Sequence, residues 1–102
     1  MLKLPKISSY GQYKSDNYGA HCLVMSMAGF NVYFSYQTPV AFSTPKHNLV
    51  VRENIWGPTT GKHLNWIDGG NKHNRVTTEK FNLLWEQYVI PSPLAQCMLF
   101  DV

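Results

Sequence analysis

Polar and apolar residues alternate through the first half of the chain as they do in antiparallel strands. Residues 21–27 and 30–36 flank the pair Ala28-Gly29, in which glycine supplies the positive φ that a tight hairpin needs. In residues 30–36 every second residue is apolar, which is typical of a strand with one face on the core. A third short strand is predicted over residues 38–42. Pro39 marks an edge, a bulge or a strand start there, because it lacks the N–H of a central strand.

Two further strands are predicted on either side of a loop that contains Gly57-Pro58. Residues 49–54 open with three consecutive aliphatic residues, which indicates a central strand whose two faces are both partly covered. Residues 63–68 alternate polar and apolar residues with period two, which favours a fifth strand that ends at Gly69-Gly70.

An amphipathic helix is predicted over residues 77–90. Thr77 can cap its first turn, and Pro91 ends it. The apolar stripe, spaced i, i+3, i+4 and i+7, consists of Phe81, Leu84, Trp85 and Tyr88. Together these elements predict an α+β fold: an antiparallel four- or five-stranded sheet with one C-terminal amphipathic helix packed on one face.

The chain of 102 residues is long enough for one domain with one core. That core is expected to span about residues 10–90, and the turn-rich segment of residues 8–19 is expected to form a loop with a short edge strand. Residues 91–102 form an apolar tail, which we expect to dock on the core, add an edge strand or contact a second copy of the chain. With 44% hydrophobic and 15% charged residues, the composition is that of a folded domain and excludes intrinsic disorder.

The net charge of +3 and the pI near 9.0 favour acidic partners, nucleic acid among them. Cys22 is expected to be a small buried hydrophobe, and it forms no CxxC pair with Cys97, so reduced thiols and a cytoplasmic location are predicted. Pro5 interrupts the N-terminus before the apolar region of a signal peptide could form. No stretch reaches the roughly 18 apolar residues of a membrane span, so no membrane association is expected.

The segment from Gly57 to His63 invites comparison with a phosphate-binding loop, because a glycine-rich turn there precedes Lys62. A Walker loop has four residues between its glycines and a serine or threonine after its lysine. Here three residues separate Gly57 from Gly61, and His63 follows the lysine. Because the next residues also predict a strand, nucleotide hydrolysis is disfavoured, whereas a loop that binds another anion stays open.

His63 is the candidate general acid/base of a metal-independent ribonuclease, with Lys62 and Arg52 stabilising the developing charge. Against this alternative, the set lacks a second acid/base group. The four histidines lie on four different segments without HxH or HExxH spacing, so neither a metal site nor a cofactor is predicted.

The same loop supplies the candidate binding residues, and Trp56 is the tryptophan expected to be exposed as a hot spot for a partner or a base. The tyrosines of the N-terminal loop could add a stacking surface. The structural alternative is that the polar side chains satisfy the turn backbone and hold two strands in register without a ligand. The candidate binding residues are Tyr18, Arg52, Asn54, Trp56, Thr59, Thr60, Lys62, His63 and Asn65.

Three stretches, residues 17–21, 33–42 and 49–65, carry a resemblance to a known kind of domain. Over Tyr10 to Tyr88 the chain resembles a small uncharacterised domain of unknown function found in phage, plasmid and environmental microbial sequences. The resemblance implies a short, single-domain protein of the mobile-element type. It brings no activity, cofactor or catalytic residue with it.

The leading hypothesis from the sequence is a non-enzymatic binding module, such as a phage or mobile-element modulator that binds a host protein or a nucleoprotein. The first alternative is the ribonuclease, or another phosphodiester-acting enzyme, that uses His63. The second is a structural or oligomerisation domain without a ligand, for example a homo-oligomer formed through the C-terminal tail.

Overall fold

The computed structural model describes residues 4–11 and 21–95 of the chain. Five strands form an antiparallel meander in which each strand pairs with its neighbours in sequence. The strands are β1 (Lys6–Ser9), β2 (Leu23–Met27), β3 (Phe30–Ser35), β4 (Thr38–Thr44) and β5 (His47–Val51). They are followed by helix α1 (Pro58–Asp68), a 3-10 helix (Lys72–Asn74), helix α2 (Thr78–Leu84) and a π-helical turn (Trp85–Val89). The predicted α+β fold with an antiparallel sheet is therefore confirmed.

The predicted hairpin at Ala28-Gly29 joins β2 to β3. Both turn residues have positive φ, 54° and 84°, which matches the twist of the flanking strands. The bulge anticipated near Pro39 lies in β4. Val40 and Ala41 together stand opposite Tyr33, because the pairing shifts by one residue between Tyr33 and Phe34. As a result both residues are fully buried in the same cluster on one face of the sheet.

Helices cover both faces of the sheet. On one face, Val32, Phe42 and Val50 pack with Phe81 of α2, and the rings of Phe42 and Phe81 meet edge to face with centroids 5.5 Å apart. On the other face, the β4 bulge and Val51 pack against Leu64 of α1. The C-terminal helix predicted on one face therefore has a counterpart on the opposite face.

The prediction that residues 49–54 form a central strand is wrong in position and extent. β5 ends at Val51 and is the last strand of the sheet. Its aliphatic run reflects helices on both faces, since Val50 and Val51 are buried in opposite clusters while Leu49 is exposed. Beyond the strand, a parallel bridge between Arg52 and Val76 pairs backbone at this edge.

The fifth strand predicted over residues 63–68 is also wrong, because these residues belong to α1. Pro58 occupies the first turn of the helix, and Gly69 ends it in the left-handed conformation with φ of 69°. The residues that α1 buries are Thr60, His63 and Leu64, spaced i, i+3 and i+4. Two of the three are polar, so the helical period is hidden from a search for apolar residues.

The helix predicted at Thr77 begins as expected. The Thr77 hydroxyl accepts a hydrogen bond of 3.2 Å from the Lys80 N–H, and helical backbone continues through α2 and the π-helical turn. Leu94 and Ala95, the first residues of the predicted apolar tail after Pro93, are buried in the core under α2. The rest of the tail, with Cys97, lies outside the described residues.

Gly11 lies against the fully buried thiol of Cys22, and a Cβ at this position would overlap the Cys22 Sγ. We therefore expect Gly11→Ala to lower the free energy of unfolding by about 1–3 kcal/mol through overpacking. Chemical denaturation would measure the loss. Combining the change with Cys22→Ala removes the sulfur, so Gly11→Ala should cost less in that background. An equal cost in both backgrounds would contradict the assigned contact.

Candidate functional site

A polar groove of about 750 Å³ runs along α1 and the segments on either side of it. One wall is a single face of α1, since Pro58, Gly61, Lys62 and Asn65 are spaced i, i+3, i+4 and i+7. The remaining lining residues come from the loop before the helix and from the 3-10 region after it: Glu53, Asn54, Lys72 and Arg75. The groove face of α1 lies opposite the face that packs on the sheet.

A buried ion pair fixes the far end of the groove. The Arg75 Nε lies 2.8 Å from the Asp68 Oδ2, and both side chains are less than a tenth exposed. The Arg75 Nη2 also donates to the Asp68 Oδ1 and to the Asn65 Oδ1, each at 3.0 Å. Burial alone would raise the pKa of Asp68, but hydrogen bonds from Arg75 and the Gly70 N–H, with the charge of Arg75, hold it below its ordinary value.

Asn54 organises the near end of the groove. Its Oδ1 accepts hydrogen bonds from the backbone N–H groups of Trp56 and Gly57, at 3.0 and 3.3 Å, and its Nδ2 donates to the Gly57 carbonyl. Gly61 lets α1 approach this amide closely, because a Cβ there would lie 3.0 Å from the Asn54 Nδ2. The loop and the helix are therefore packed as one unit.

The groove carries more positive than negative charge. Lys62, Lys72 and Arg75 line it together with one acid, Glu53. The Glu53 carboxylate accepts a hydrogen bond of 3.0 Å from the Thr78 N–H, so its charge stands at the positive end of α2. The two lysines are exposed, one on the helix and one on the 3-10 segment. The charge in the groove thus suits an anion.

Arg52 does not line the groove; its guanidinium packs against the ring of Trp56. Its Cζ lies 4.7 Å from the centre of the Trp56 ring and 5.1 Å from that of Phe81, so the guanidinium is held between two rings. It also donates to the Thr78 hydroxyl at 3.3 Å. Burial lowers the pKa of Arg52, although the nearby Glu53 charge opposes this. Trp56 remains 42% exposed, as its sequence context predicted.

Thr60 and His63 point to the sheet. The Ser35 hydroxyl lies 2.7 Å from the His63 Nδ1 and 3.1 Å from the Thr60 hydroxyl, and all three side chains are buried. The rings of Trp66 and Tyr36 lie 5.7 and 5.8 Å from the His63 ring. Burial, with the charges of His21 and Lys62, lowers the pKa of His63. These two residues therefore hold α1 on the sheet, a structural role that differs from the predicted one of keeping two strands in register.

The structure brings together only part of the predicted site. Asn54, Lys62 and Asn65 line the groove, whereas the exposed Trp56, two residues after Asn54, and the exposed Thr59 are not among its lining residues. The alternative catalytic residues, His63, Lys62 and Arg52, face three different environments and do not form one site. Tyr18 lies outside the described residues.

Sequence reasoning missed Lys72 and Arg75 as members of the site. A helical interpretation of residues 58–68 would have pointed to them, because it places Lys62 and Asn65 on one face next to the segment that follows. Within residues 4–11 and 21–95, no group of three or more His, Cys, Asp or Glu side chains could hold a metal ion.

The molecule is thus a small α+β domain with a helix on each face of an antiparallel meander and a polar groove beside one helix. Residues 5–82 match the model of a family of unknown function, DUF8033, and the chain belongs to that family. This match confirms the resemblance to a small domain of unknown function, and it covers every residue of the groove. No curated protein and no solved structure matches the chain. No helix among the described residues is long and apolar enough to cross a membrane.

Replacing Arg75 with methionine should lower the free energy of unfolding by about 3 kcal/mol at pH 7, because the buried Asp68 carboxylate loses its partner. Without the guanidinium, burial raises the pKa of Asp68, so the deficit should shrink as the pH falls towards 4. Adding Asp68→Asn to Arg75→Met should recover much of the loss at pH 7. Denaturation at both pH values would measure these effects, and a deficit that does not change with pH would contradict them.

The lowered pKa of His63 leads to a second prediction about how the stability of the protein depends on pH. Its folded pKa lies below the unfolded value of 6.5, so the unfolded chain binds the proton first as the pH falls. Stability should therefore decrease from pH 7.5 to 5.0. In His63→Gln the melting temperature should change less over this range, whereas the exposed His73→Gln control should follow the wild type. Thermal melts at several pH values test this, and the same slope in all three proteins would argue against it.

Proposed function

We propose that this protein is a non-enzymatic binding module whose groove binds the phosphate backbone of a nucleic acid. The observation that carries the proposal is the lining of the groove, where Lys62 and Lys72 stand on two separate segments around a polar floor. Lysine side chains and amide donors are the groups that contact phosphates without reading sequence.

The ionised groups around the groove support a phosphate ligand. The charge of Arg75 is compensated by Asp68, which leaves Lys62 and Lys72 against the single acid Glu53, so the net charge around the groove is positive. Binding would then release counterions from the nucleic acid and depend strongly on salt.

The groove is also held in shape before any ligand arrives. Arg75 joins Asp68 and Asn65 at one end, and Asn54 fixes the loop at the other. A site that is already ordered loses less conformational entropy on binding. The proposal keeps the host nucleoprotein of the sequence hypothesis as a partner, because a nucleoprotein presents the same phosphates.

No observation favours the ribonuclease alternative. His63 is fully buried and hydrogen-bonded to Ser35, and it does not line the groove in which the cationic Lys62 stands. A general acid or base must come within hydrogen-bond reach of the proton that it transfers. The groove therefore supports binding better than cleavage.

The double variant Lys62→Ala, Lys72→Ala should weaken binding to labelled 12-nucleotide DNA and RNA. The slope of log Kd against log salt should decrease by about one for each lysine that contacts a phosphate. Fluorescence anisotropy from 20 to 300 mM salt would measure both quantities.

The matched control is Lys46→Ala, Lys80→Ala, which removes the same charge from two exposed lysines outside the groove. It should keep the wild-type affinity at moderate salt. Equal losses of affinity in the two double variants would mean that binding depends on the net charge of the protein and not on contacts in the groove, which would contradict the proposal. No binding by the wild type at low salt, or tighter binding to polyglutamate than to the oligonucleotides, would contradict the proposal.

A further inference from the structure

We infer that the ligand of the groove is single-stranded nucleic acid, with the indole of Trp56 stacked on a base at the rim while the lysines hold neighbouring phosphates. This inference rests on the proposed function and adds a strand preference and a second contact to it. Its evidence is the position and support of the Trp56 ring.

Trp56 alone of the three tryptophans is exposed, whereas Trp66 and Trp85 are half-buried. The preceding residue, Ile55, is 57% exposed as well, so an apolar surface adjoins a polar groove. Leaving such a side chain in water gains nothing in folding, and exposed tryptophans are common anchors for ligands.

The Trp56 ring is also held from behind. The Arg52 guanidinium lies between Trp56 and Phe81, with its Cζ about 5 Å from both ring centres. Two further hydrogen bonds of Arg52, to the Pro39 carbonyl and the Thr78 hydroxyl, join this stack to the sheet and to α2. A ring supported on one side is a ready platform for a flat ligand on the other side.

Trp56 lies close to the cationic groove, because the residues two positions before and after it in the chain line that groove. Asn54 and Pro58 are both part of the lining, and the Asn54 Oδ1 accepts the Trp56 N–H at 3.0 Å. A base on the ring would therefore place its own backbone near Lys62. The combination of a stacking ring and a groove that follows the phosphates is the arrangement that binds single strands without sequence preference.

A duplex fits this arrangement poorly, because its bases stack on one another and offer only their edges to a protein. A protein partner could use the same tryptophan, but a groove whose two exposed lysines outnumber its one acid, Glu53, suits phosphates better than a mixed protein surface. The bases and phosphates of a single strand satisfy both parts of the site.

The test compares oligothymidylate with an abasic strand of the same length, which carries the same phosphates but no bases. Wild-type protein should bind oligothymidylate about 5- to 100-fold more tightly, the range for one stacked base. Trp56→Ala should lose that factor on oligothymidylate and leave the affinity for the abasic strand unchanged. Trp56→Phe should keep part of the factor, and Ile90→Ala, at a similarly exposed apolar residue outside the groove, should keep all of it.

Trp56→Leu provides a second variant that still packs on Arg52, and circular dichroism checks that each variant is folded. Equal wild-type affinity for the two strands, equal losses for Trp56→Ala on both, or equally tight binding of a duplex would overturn the inference. In those cases a loss of abasic-strand binding by Lys62→Ala, Lys72→Ala would still support the proposed function. If the wild type does not bind the abasic strand even at low salt, the proposed function fails as well. Tighter Trp56-dependent binding of an acidic peptide would assign the site to a protein partner.

Discussion

The hydrogen bonds between α1 and the end of β3 fix the orientation of α1, and with it the residues that line the groove. Ser35 lies within hydrogen-bond distance of both Thr60 and His63, and all three residues are buried. A buried polar group that lost its partner would cost about 1–3 kcal/mol, so few rotations of the helix about its axis are compatible with this contact. Once the inner face of α1 is fixed in this way, the outer face with Lys62 and Asn65 has to form the wall of the groove.

The groove itself depends on contacts between segments that are distant in sequence. Glu53 follows β5, and the two lysines belong to α1 and to the 3-10 helix. Arg75 directly precedes Val76, which forms the bridge with Arg52. Hydrogen bonds of Asn54 join the loop to the start of α1, and the ion pair of Arg75 with Asp68 joins the residue after the 3-10 helix to the end of α1. The fold therefore supplies an ordered cationic surface even though the net charge of the whole chain is only +3.

The sequence was most informative where one residue type is required by the backbone. Gly29 in the β2–β3 turn and Thr77 at the start of α2 follow directly from positive φ and from capping. It was least informative for α1, because the buried Thr60 and His63 are indistinguishable from surface residues until the partner Ser35 is known. A helix changes direction by about 100° at each residue, so neighbours that look equivalent in a loop, such as Lys62 and His63, end on different sides. Lys72 and Arg75 were missed as a consequence, because only a helix over residues 58–68 brings the segment that follows it beside Lys62 and Asn65.

Gly61 stands in the middle of the groove wall, with the Asn54 amide 3.0 Å from the place where a side chain would begin. A Cβ at this position would press on the amide that holds the loop before α1, and that amide would have to move by a few tenths of an ångström. The absence of a side chain at this one position therefore sets how closely the loop approaches α1. A substitution there would reshape the cleft at this point while leaving intact both apolar clusters, to which Gly61 does not belong.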